Sequence, residues 1–415
     1  MALSSWIATL AICLGAGAQA PQKPPEQNAP GQKAASEQAA ALDQDGPDQQ
    51  PDATEAKKPR EPVDVPAVAD AAIAWLVDNQ NPDGSWGSHR SPRPIEVLAS
   101  IPGSQDAFRV ATTALCVTAL QESPRAGEKG AQAVEKAIAW LLENYDVKRQ
   151  SGLEHYNVWS FGYTLQAFGE RLEAQPEHSR AADMRAACAR LIEKLGMYQT
   201  LDGGWGYLSL NGVPTFQPSD TSMSFTTATI LVGLDRARAA GVELPEKMIA
   251  RAADHVRRSR LPDGAFLYGE YLEYRPRHGI NQRKGSACRN PLCHYALDLF
   301  GEAPKADAYV ESLRDLLVRH ASFQKAAVRR PIPHESWYSI SGYFYLYGHA
   351  YAAYVLEHLP KDQQRDLWPL LVDAVMYCHQ PDGSFWDYPL YSYHKPYGTA
   401  FALIALTRAL AAQGG

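Results

Sequence analysis

The sequence predicts an all-α protein, an (α/α)6 toroid built from six helix-pair repeats of about 60 residues. Three observations lead to this fold: a helix-turn-aromatic unit recurs, its spacing is regular, and a second, more apolar helical stretch follows each copy. The unit is first met at residues 68–87, where apolar residues fall at i, i+3, i+4, i+7 and i+8 on one helix face. The Asn-Pro-Asp-Gly of residues 81–84 then ends the helix in a tight turn, and Trp86 follows.

The turn returns along the chain as the signature Asp-Gly-x-aromatic. Its copies are Asp83-Gly84-Ser85-Trp86, Asp202-Gly203-Gly204-Trp205, Asp263-Gly264-Ala265-Phe266 and Asp382-Gly383-Ser384-Phe385. The glycines at positions 84, 203, 264 and 383 are 119, 61 and 119 residues apart. Because two gaps are about twice the third, we infer two further copies that have lost the signature, near Asn144 and near Phe323, behind helices that remain. Six repeats result.

A second helix is predicted after each turn. These second helices are expected at residues 112–121, 159–172, 221–238, 291–300, 341–359 and 397–410. They are apolar nearly all round, which is typical of buried helices, whereas the first helices keep a polar face. The second helices should therefore form an inner ring with the first helices outside it. Asp220 and Asn290 stand where helix N-caps are expected.

The ends of the chain and its composition restrict the biological setting. Residues 1–18 read as a signal peptide with an apolar core and an Ala-x-Ala cleavage site, so we expect a secreted or periplasmic protein. Residues 19–65 are rich in Pro, Gln and Ala and are expected to form a disordered linker, which leaves 66–412 as the folded part. A net charge of −6 with mixed signs gives no indication of nucleic acid as a partner, and no transmembrane span is predicted. The oligomeric state is left open.

The stretches Gln80 to Trp86 and Gln199 to Trp205 resemble the QW motif of squalene–hopene cyclases and the related repeat of protein prenyltransferase β-subunits. The resemblance, to the prenyltransferase and squalene oxidase repeat, covers roughly residues 67 to 410. It implies a toroid in which the Gln and Trp tie one helix end to the next turn. It also implies a central cavity for an apolar, isoprenoid-like ligand.

The catalytic acid of such cyclases is matched only in part. The family protonates an alkene with an Asp-x-Asp-Asp motif at the start of an inner helix, and here only Asp220 and Thr221 match its end. Pro218 and Ser219 stand where the family has acidic neighbours, although several coupled carboxylates are needed to make one of them acidic enough. Asp220 is therefore the candidate acid, with a helix cap as the alternative reading, and the sequence leaves open whether any catalysis is retained.

The zinc site of the prenyltransferases is also matched only in part. The family binds zinc through Asp-x-Cys and a later His; here Cys288 matches, Ser286 replaces the Asp, and the His would be His349 or His394. Zinc is thus the one cofactor left open, and none is required by the sequence. If Cys288 or Cys293 lies at a helix N-terminus, its pKa should be lowered.

Two aromatic clusters mark the starts of the fifth and sixth inner helices, where a small-molecule ligand would bind. The predicted ligand contacts are Trp337, Tyr343, Tyr347, His349, Tyr391 and Tyr397. A secreted binding protein for an isoprenoid-like ligand, with family catalysis lost or altered, accounts for the incomplete motifs. A terpenoid cyclase or prenyltransferase with a non-standard site is one alternative. A polysaccharide lyase of the α/α toroid type, with Tyr393 or His394 as base and a saccharide as ligand, is the other.

Overall fold

The computed structural model describes residues 63–90, 102–329, 340–388 and 391–414. Within these ranges the chain forms 14 α-helices and no strand, only three isolated bridges, so the predicted all-α class is confirmed. The predicted signal peptide, nearly all of the linker, and Trp337 lie outside the described residues. Across the described ranges no helix is both long and apolar enough to span a membrane.

Twelve of these helices form six successive pairs along the chain. Each of the two short helices stands between the two members of a pair. The helices are α1 Val65–Asp78, α2 Pro102–Glu122, α3 Gly127–Asn144, α4 Asn157–Ala174, α5 Ala181–Tyr198, α6 Ser224–Ala239, α7 Glu246–Arg258, α8 Arg283–Ser286, α9 Asn290–Leu299, α10 Ala306–Arg314, α11 Ala321–Ala327, α12 Phe344–Glu357, α13 Lys361–Met376 and α14 His394–Gln413. A π-helical turn, Asp315–Arg319, joins α10 to α11.

The second helix of each pair lies inside. Each of α2, α4, α6, α9, α12 and α14 packs against the next, and α14 packs against α2, so the inner ring is closed. The first helices α3, α5, α7, α10 and α13 pack on the outside of the ring, and α1 covers α14. The predicted toroid of six helix pairs is therefore confirmed.

Small residues bring neighbouring inner helices close together. A Cβ atom on Gly233 in α6 would overlap the carbonyl oxygen of Gly162 in α4, so only glycine fits at this contact. Two buried threonines of α6 donate hydrogen bonds to backbone carbonyl oxygens one turn earlier. Thr227 Oγ1 donates to Met223 O at 2.9 Å, and Thr229 Oγ1 donates to Phe225 O at 2.9 Å. The burial of these two threonines therefore costs little.

The Gln and Trp of the first turn connect two outer helices. Trp86 Nε1 donates to Leu76 O at 2.8 Å, which holds the turn against the end of its own helix α1. Gln80 Nε2 donates to Gly84 O at 2.9 Å and to Ala133 O of α3 at 2.8 Å, which ties the turn to the outer helix of the next repeat. Gly84 has φ +94°, a conformation that favours glycine.

The same clasp recurs in the third repeat, and the turn of the last repeat meets the first outer helix. Gln199 Nε2 donates to Met248 O of α7 at 2.9 Å, and Trp205 Nε1 donates to Leu195 O at 2.8 Å. In the last repeat a Cβ on Gly383 would lie 3.0 Å from Ala71 O of α1, so the final turn abuts the first outer helix.

One contact of the turn was not expected from the sequence. The backbone N–H of each signature aromatic residue donates to a side chain of the following inner helix. The pairs are Trp86 with Thr113 at 3.0 Å, Trp205 with Thr227 at 3.0 Å, Phe266 with Asn290 at 3.1 Å and Phe385 with Thr399 at 2.9 Å. The N-cap expected at Asn290 is therefore wrong, because this residue lies inside α9 and its side-chain oxygen serves Phe266.

Candidate ligand site at the inner-helix mouth

The starts of the inner helices carry a continuous cluster of aromatic side chains, here called the aromatic basin. Its members are Phe108, Tyr156, Trp159, Tyr207, Phe225, Tyr268, Tyr343, Phe344, Tyr388, Tyr391, Tyr393 and Tyr397. Inner helices of an alternating ring all run the same way, so their first turns meet at one end. The basin crosses that end: the rings of Phe225 in α6 and Phe344 in α12 lie 5.3 Å apart although α9 separates these helices around the ring.

Several rings of the basin are only half-buried. Tyr156, Trp159, Tyr207, Tyr343 and Tyr397 keep part of their surface exposed, although each packs against the core of the helical ring. Such exposure inside a closed ring of helices indicates open space at the mouth. Concave sites lined by aromatic rings with a few polar groups are the usual form of small-molecule sites.

Below the basin the axis of the ring is filled. Tyr347, Tyr351 and Tyr354 of α12 are buried at i, i+4 and i+7, and the Tyr347 ring meets Trp159 of α4 edge-on at 6.3 Å. The Tyr347 hydroxyl lies 2.8 Å from Thr229 Oγ1 of α6. Tyr347, a predicted ligand contact, is therefore part of the packing beneath the basin.

The opposite end of the ring is closed by charged side chains. Arg408 Nη2 donates to Glu122 at 2.7 Å, and its guanidinium lies 3.6 Å from the centre of the Tyr354 ring. Burial and the neighbouring Glu122 raise the pKa of Glu170 to about 8. Charged side chains that have partners therefore occupy this end of the ring in the described part of the chain.

Asp387, which the sequence did not single out, is a buried acid beside the basin. Its side chain is fully buried; Oδ2 accepts from Leu346 N in the first turn of α12 at 2.9 Å, whereas Oδ1 has no hydrogen-bond partner among the described residues. The Tyr397 hydroxyl lies close by and lowers the pKa of Asp387 in part. Burial raises the pKa of Asp387 to about 7. The only feature of the sequence that could have pointed to Asp387 is its position two residues after Phe385.

Tyr391, Tyr393 and His394 lie together at the rim. The Tyr393 hydroxyl donates to Gln105 O at 3.2 Å, and burial raises the pKa of Tyr393. Its ring also borders a pocket of about 480 Å³ beside the first turn. His394 is buried with its ring 5.2 Å from that of Trp386.

Two features do not favour a lyase. Burial raises the pKa of Tyr393, so a smaller fraction of its hydroxyl is ionised and able to act as a base at neutral pH than in an ordinary tyrosine. Lys395, a candidate for neutralising a uronate, has its Nζ 2.7 Å from Asp382 Oδ2. The lyase roles of Tyr393 and His394 remain predictions.

Asp220, the candidate acid, is exposed at a loop. Its carboxylate accepts from Leu210 N at 2.8 Å and from Asn211 N and Nδ2 at 2.9 and 2.8 Å. Helix α6 begins four residues later, at Ser224, so the predicted N-cap is wrong. A carboxylate with three donors anchors this loop, and the dry aromatic surroundings that an acid catalyst needs are found at Asp387 instead.

The predicted zinc ligands have other partners. Cys288 Sγ donates to Gln324 Oε1 at 3.2 Å, and His349 Nδ1 lies 2.7 Å from Tyr345 O. Burial raises the pKa of Cys288 and that of Cys293, the latter to about 12, so the lowered cysteine pKa expected from the sequence is wrong. His349, Cys288 and His394 do not form a close set of three metal-ligating groups in the described part of the chain.

A different set of residues comes close enough to hold a metal ion. The ligand atoms of Asp202, His255 and Glu270 all lie within 4.8 Å of one another, and His255 is buried. One imidazole and two carboxylates suit zinc in kind. However, Ser222 Oγ donates to Asp202 at 2.5 Å and Arg258 Nη2 lies 2.7 Å from Glu270, so these carboxylates already have partners.

Comparison with known proteins supports the fold and leaves the activity open. Neither a protein-family model nor a curated protein matches the chain. The solved structure of cellobiose 2-epimerase from Spirochaeta thermophila matches with a TM-score of 0.51 at 12% identity, over 84% of this chain and 96% of that chain. The chain has an α/α toroid fold.

Two further structures resemble the toroid more weakly. Type II terpene cyclase MstE from Scytonema matches with a TM-score of 0.48 at 15% identity, over 84% of this chain and 98% of the cyclase. A possible GH105 family member from Salmonella enterica matches with a TM-score of 0.49 at 11% identity, over 86% of this chain and 96% of that chain.

Proposed function

We propose that the protein binds an apolar, isoprenoid-like small molecule in the aromatic basin. The observation that carries this proposal is the set of half-buried rings, contributed by several repeats, at the open end of a ring whose axis is otherwise filled. Aromatic side chains offer a large apolar surface at a low cost in conformational entropy. The resemblance of the repeat to that of squalene–hopene cyclases favours an isoprenoid among apolar ligands.

The basin suits an apolar chain better than a polysaccharide. Its rings meet mainly in tilted and edge-on pairs, such as Phe225 with Tyr268 at 5.0 Å and 56°. Two of its hydroxyls, those of Tyr207 and Tyr268, bond to each other instead of pointing outward to a sugar. An apolar chain would fill the remaining space without requiring further hydrogen bonds.

The test measures the binding of farnesol, squalene and cellobiose to the full chain by calorimetry. Trp159→Ala should weaken binding of farnesol about tenfold, since a loss of about 60 Å² of apolar contact at 25 cal/mol per Å² has that effect. Trp75→Ala is the matched control, because Trp75 is also half-buried but lies on the outer helix α1. Binding of cellobiose alone, or an equal loss in both variants, would refute the proposal.

Asp387 favours a second candidate function, protonation of an isoprenoid alkene by a non-standard cyclase site. A carboxyl group with a pKa near 7 keeps its proton at mildly acidic pH, and its Oδ1 lies among tyrosines without a partner in the described residues. Incubation of farnesol or squalene with the protein, followed by mass spectrometry and nuclear magnetic resonance, would reveal cyclised products. Asp387→Asn should abolish them, while Asp220→Asn should not.

We also propose that the protein is exported, as a secreted or periplasmic protein. Support comes from the apolar segment and Ala-x-Ala sites in residues 1–18. N-terminal sequencing of protein recovered from a bacterial periplasm should begin after Ala18. Recovery of the full-length chain only from the cytoplasm would contradict this.

A further inference from the structure

A small polar recess lies beside the aromatic basin. It is formed where the first turn of α2, the loop at residues 149–154 and the first turn of α4 meet, and its volume is about 10 Å³. This is room for about one water-sized group. Ser104, Glu154, Tyr156 and Asn157 are among the residues that line it.

Two polar side chains of this recess are buried with unpaired atoms. Glu154 is 5% exposed and Asn157 is 2% exposed. Glu154 Oε2 and both Oδ1 and Nδ2 of Asn157 have no hydrogen-bond partner among the described residues. Buried polar atoms in native proteins are nearly always paired, so a recess with one unpaired donor and two unpaired acceptors indicates a missing partner.

The neighbouring cation does not supply that partner. The guanidinium of Arg149 donates to the carbonyl oxygens of Ser151, Val213, Pro214 and Gln217 and to His155 Nδ1, which uses all five of its N–H groups. Burial and Arg149 lower the pKa of His155 to about 3, so His155 is neutral and its other nitrogen pairs with Ser209 Oγ at 2.7 Å. Glu154 is thus left without a donor.

Tyr156 places the recess next to the basin. The residue lines the recess, while its ring stacks on Tyr207 at 5.8 Å and contacts Phe108 at 4.7 Å within the basin. Tyr156 therefore belongs to both features, and a group in the recess lies one side chain away from the basin.

We propose that the recess binds the hydroxyl group of an apolar alcohol whose hydrocarbon part fills the basin. The hydroxyl donates to Glu154 Oε2 and accepts from Asn157 Nδ2, so one group satisfies both a donor and an acceptor. An ammonium group would leave Asn157 Nδ2 unpaired, and a phosphate or diphosphate would be repelled by Glu154. This inference rests on the proposed function and specifies its ligand class: an isoprenoid alcohol instead of a diphosphate ester or a plain hydrocarbon.

The test compares farnesol with its methyl ether and with farnesyl diphosphate by calorimetry on the full chain. The ether keeps the hydrocarbon chain but cannot donate a hydrogen bond, so farnesol should bind at least tenfold more tightly than either analogue. In Glu154→Gln the preference for farnesol over the ether should fall at least tenfold. Glu173→Gln, the same change at an exposed position of the neighbouring helix α4, is the matched control.

The outcomes separate this inference from the proposed function. Equal binding of farnesol and its ether to the unchanged protein, with both weakened in Trp159→Ala, would overturn the hydroxyl site and leave the basin as a ligand site. Unchanged farnesol affinity in Glu154→Gln, together with a shifted melting temperature, would show that the recess holds a structural water only and would likewise overturn it. Binding of none of the three compounds would overturn both.

Discussion

Replacing Asp387 by Asn should change how stability depends on pH. In the folded chain burial raises the pKa of Asp387 to about 7, whereas the ordinary pKa of an aspartate in an unfolded chain is 3.8. Between these values the folded state binds a proton that the unfolded state does not, so the free energy of unfolding falls as pH rises. This group alone contributes a slope of about 1.4 kcal/mol per pH unit across that window.

The size of the effect follows from the same values. From pH 4 to pH 7 the destabilisation from Asp387 adds up to about 4 kcal/mol, an upper bound for a single buried group. Asn is neutral throughout and its side-chain oxygen still accepts from Leu346 N, so the variant escapes this loss. Its advantage over the unchanged protein should therefore grow with pH up to pH 7 and then stay constant.

Urea unfolding at half-unit steps from pH 4.5 to pH 8 measures this difference directly. Asp382→Asn supplies a control of opposite sign: Lys395 and Ser384 help to lower the pKa of Asp382 to about 2, so its contribution to stability is present above pH 4 and is lost as pH falls toward 2. Extending the series to pH 2.5 for this control completes the comparison. A pH-independent difference for Asp387→Asn would refute the reasoning.

Three further changes probe the fold and the cofactor question. Gly233→Ala should destabilise the protein by about 2 kcal/mol or more, because its methyl group overlaps Gly162 O; unchanged urea midpoints would contradict this contact. Gln80→Ala should cost about 1 to 2 kcal/mol by removing the bonds to Gly84 and Ala133, whereas the exposed Gln132→Ala should cost almost nothing, and equal costs would count against the clasp. Treatment with a chelator should leave the melting temperature unchanged, because Ser222 and Arg258 already pair with Asp202 and Glu270; a drop that zinc restores would show a resident metal.

The fold was readable from the sequence because the repeat records it several times. The spacing of Gly84, Gly203 and Gly383 reflects a turn that must meet the next outer helix, whereas Gly264 keeps the turn and its positive φ without such a contact. The Gln bonds of the first and third repeats share the same geometry. Periodicity is a local property, so it survives even where the signature is lost. Ring closure was the one step that needed contacts between the first and last repeats.

The site was harder to predict because it depends on which side chains meet across the ring. Asp220 precedes an inner helix in the sequence, like the acid of the cyclases, yet the structure turns it outward to the backbone of Leu210 and Asn211. Asp387 looks like an ordinary loop residue in the sequence, and only three-dimensional packing shows that it is buried beneath tyrosines. The burial of a single carboxyl group leaves no periodic pattern in the sequence from which it could be predicted.

The tyrosines of α12 show why the aromatic clusters in the sequence predicted the candidate site only in part. In the sequence, the tyrosines at the start of α12 look alike. In the structure, Tyr347 points to Thr229 across the axis, while Tyr343 stays half-exposed at the mouth. Because Tyr347, Tyr351 and Tyr354 occupy the space that an open toroid would leave empty, the depth of the site is limited to the first helical turn. If the basin binds a ligand as proposed, the residues that select it must lie in these first turns and in the loops before them, where the repeats differ most. The geometry of the clasp, which the repeats share, does not select the ligand.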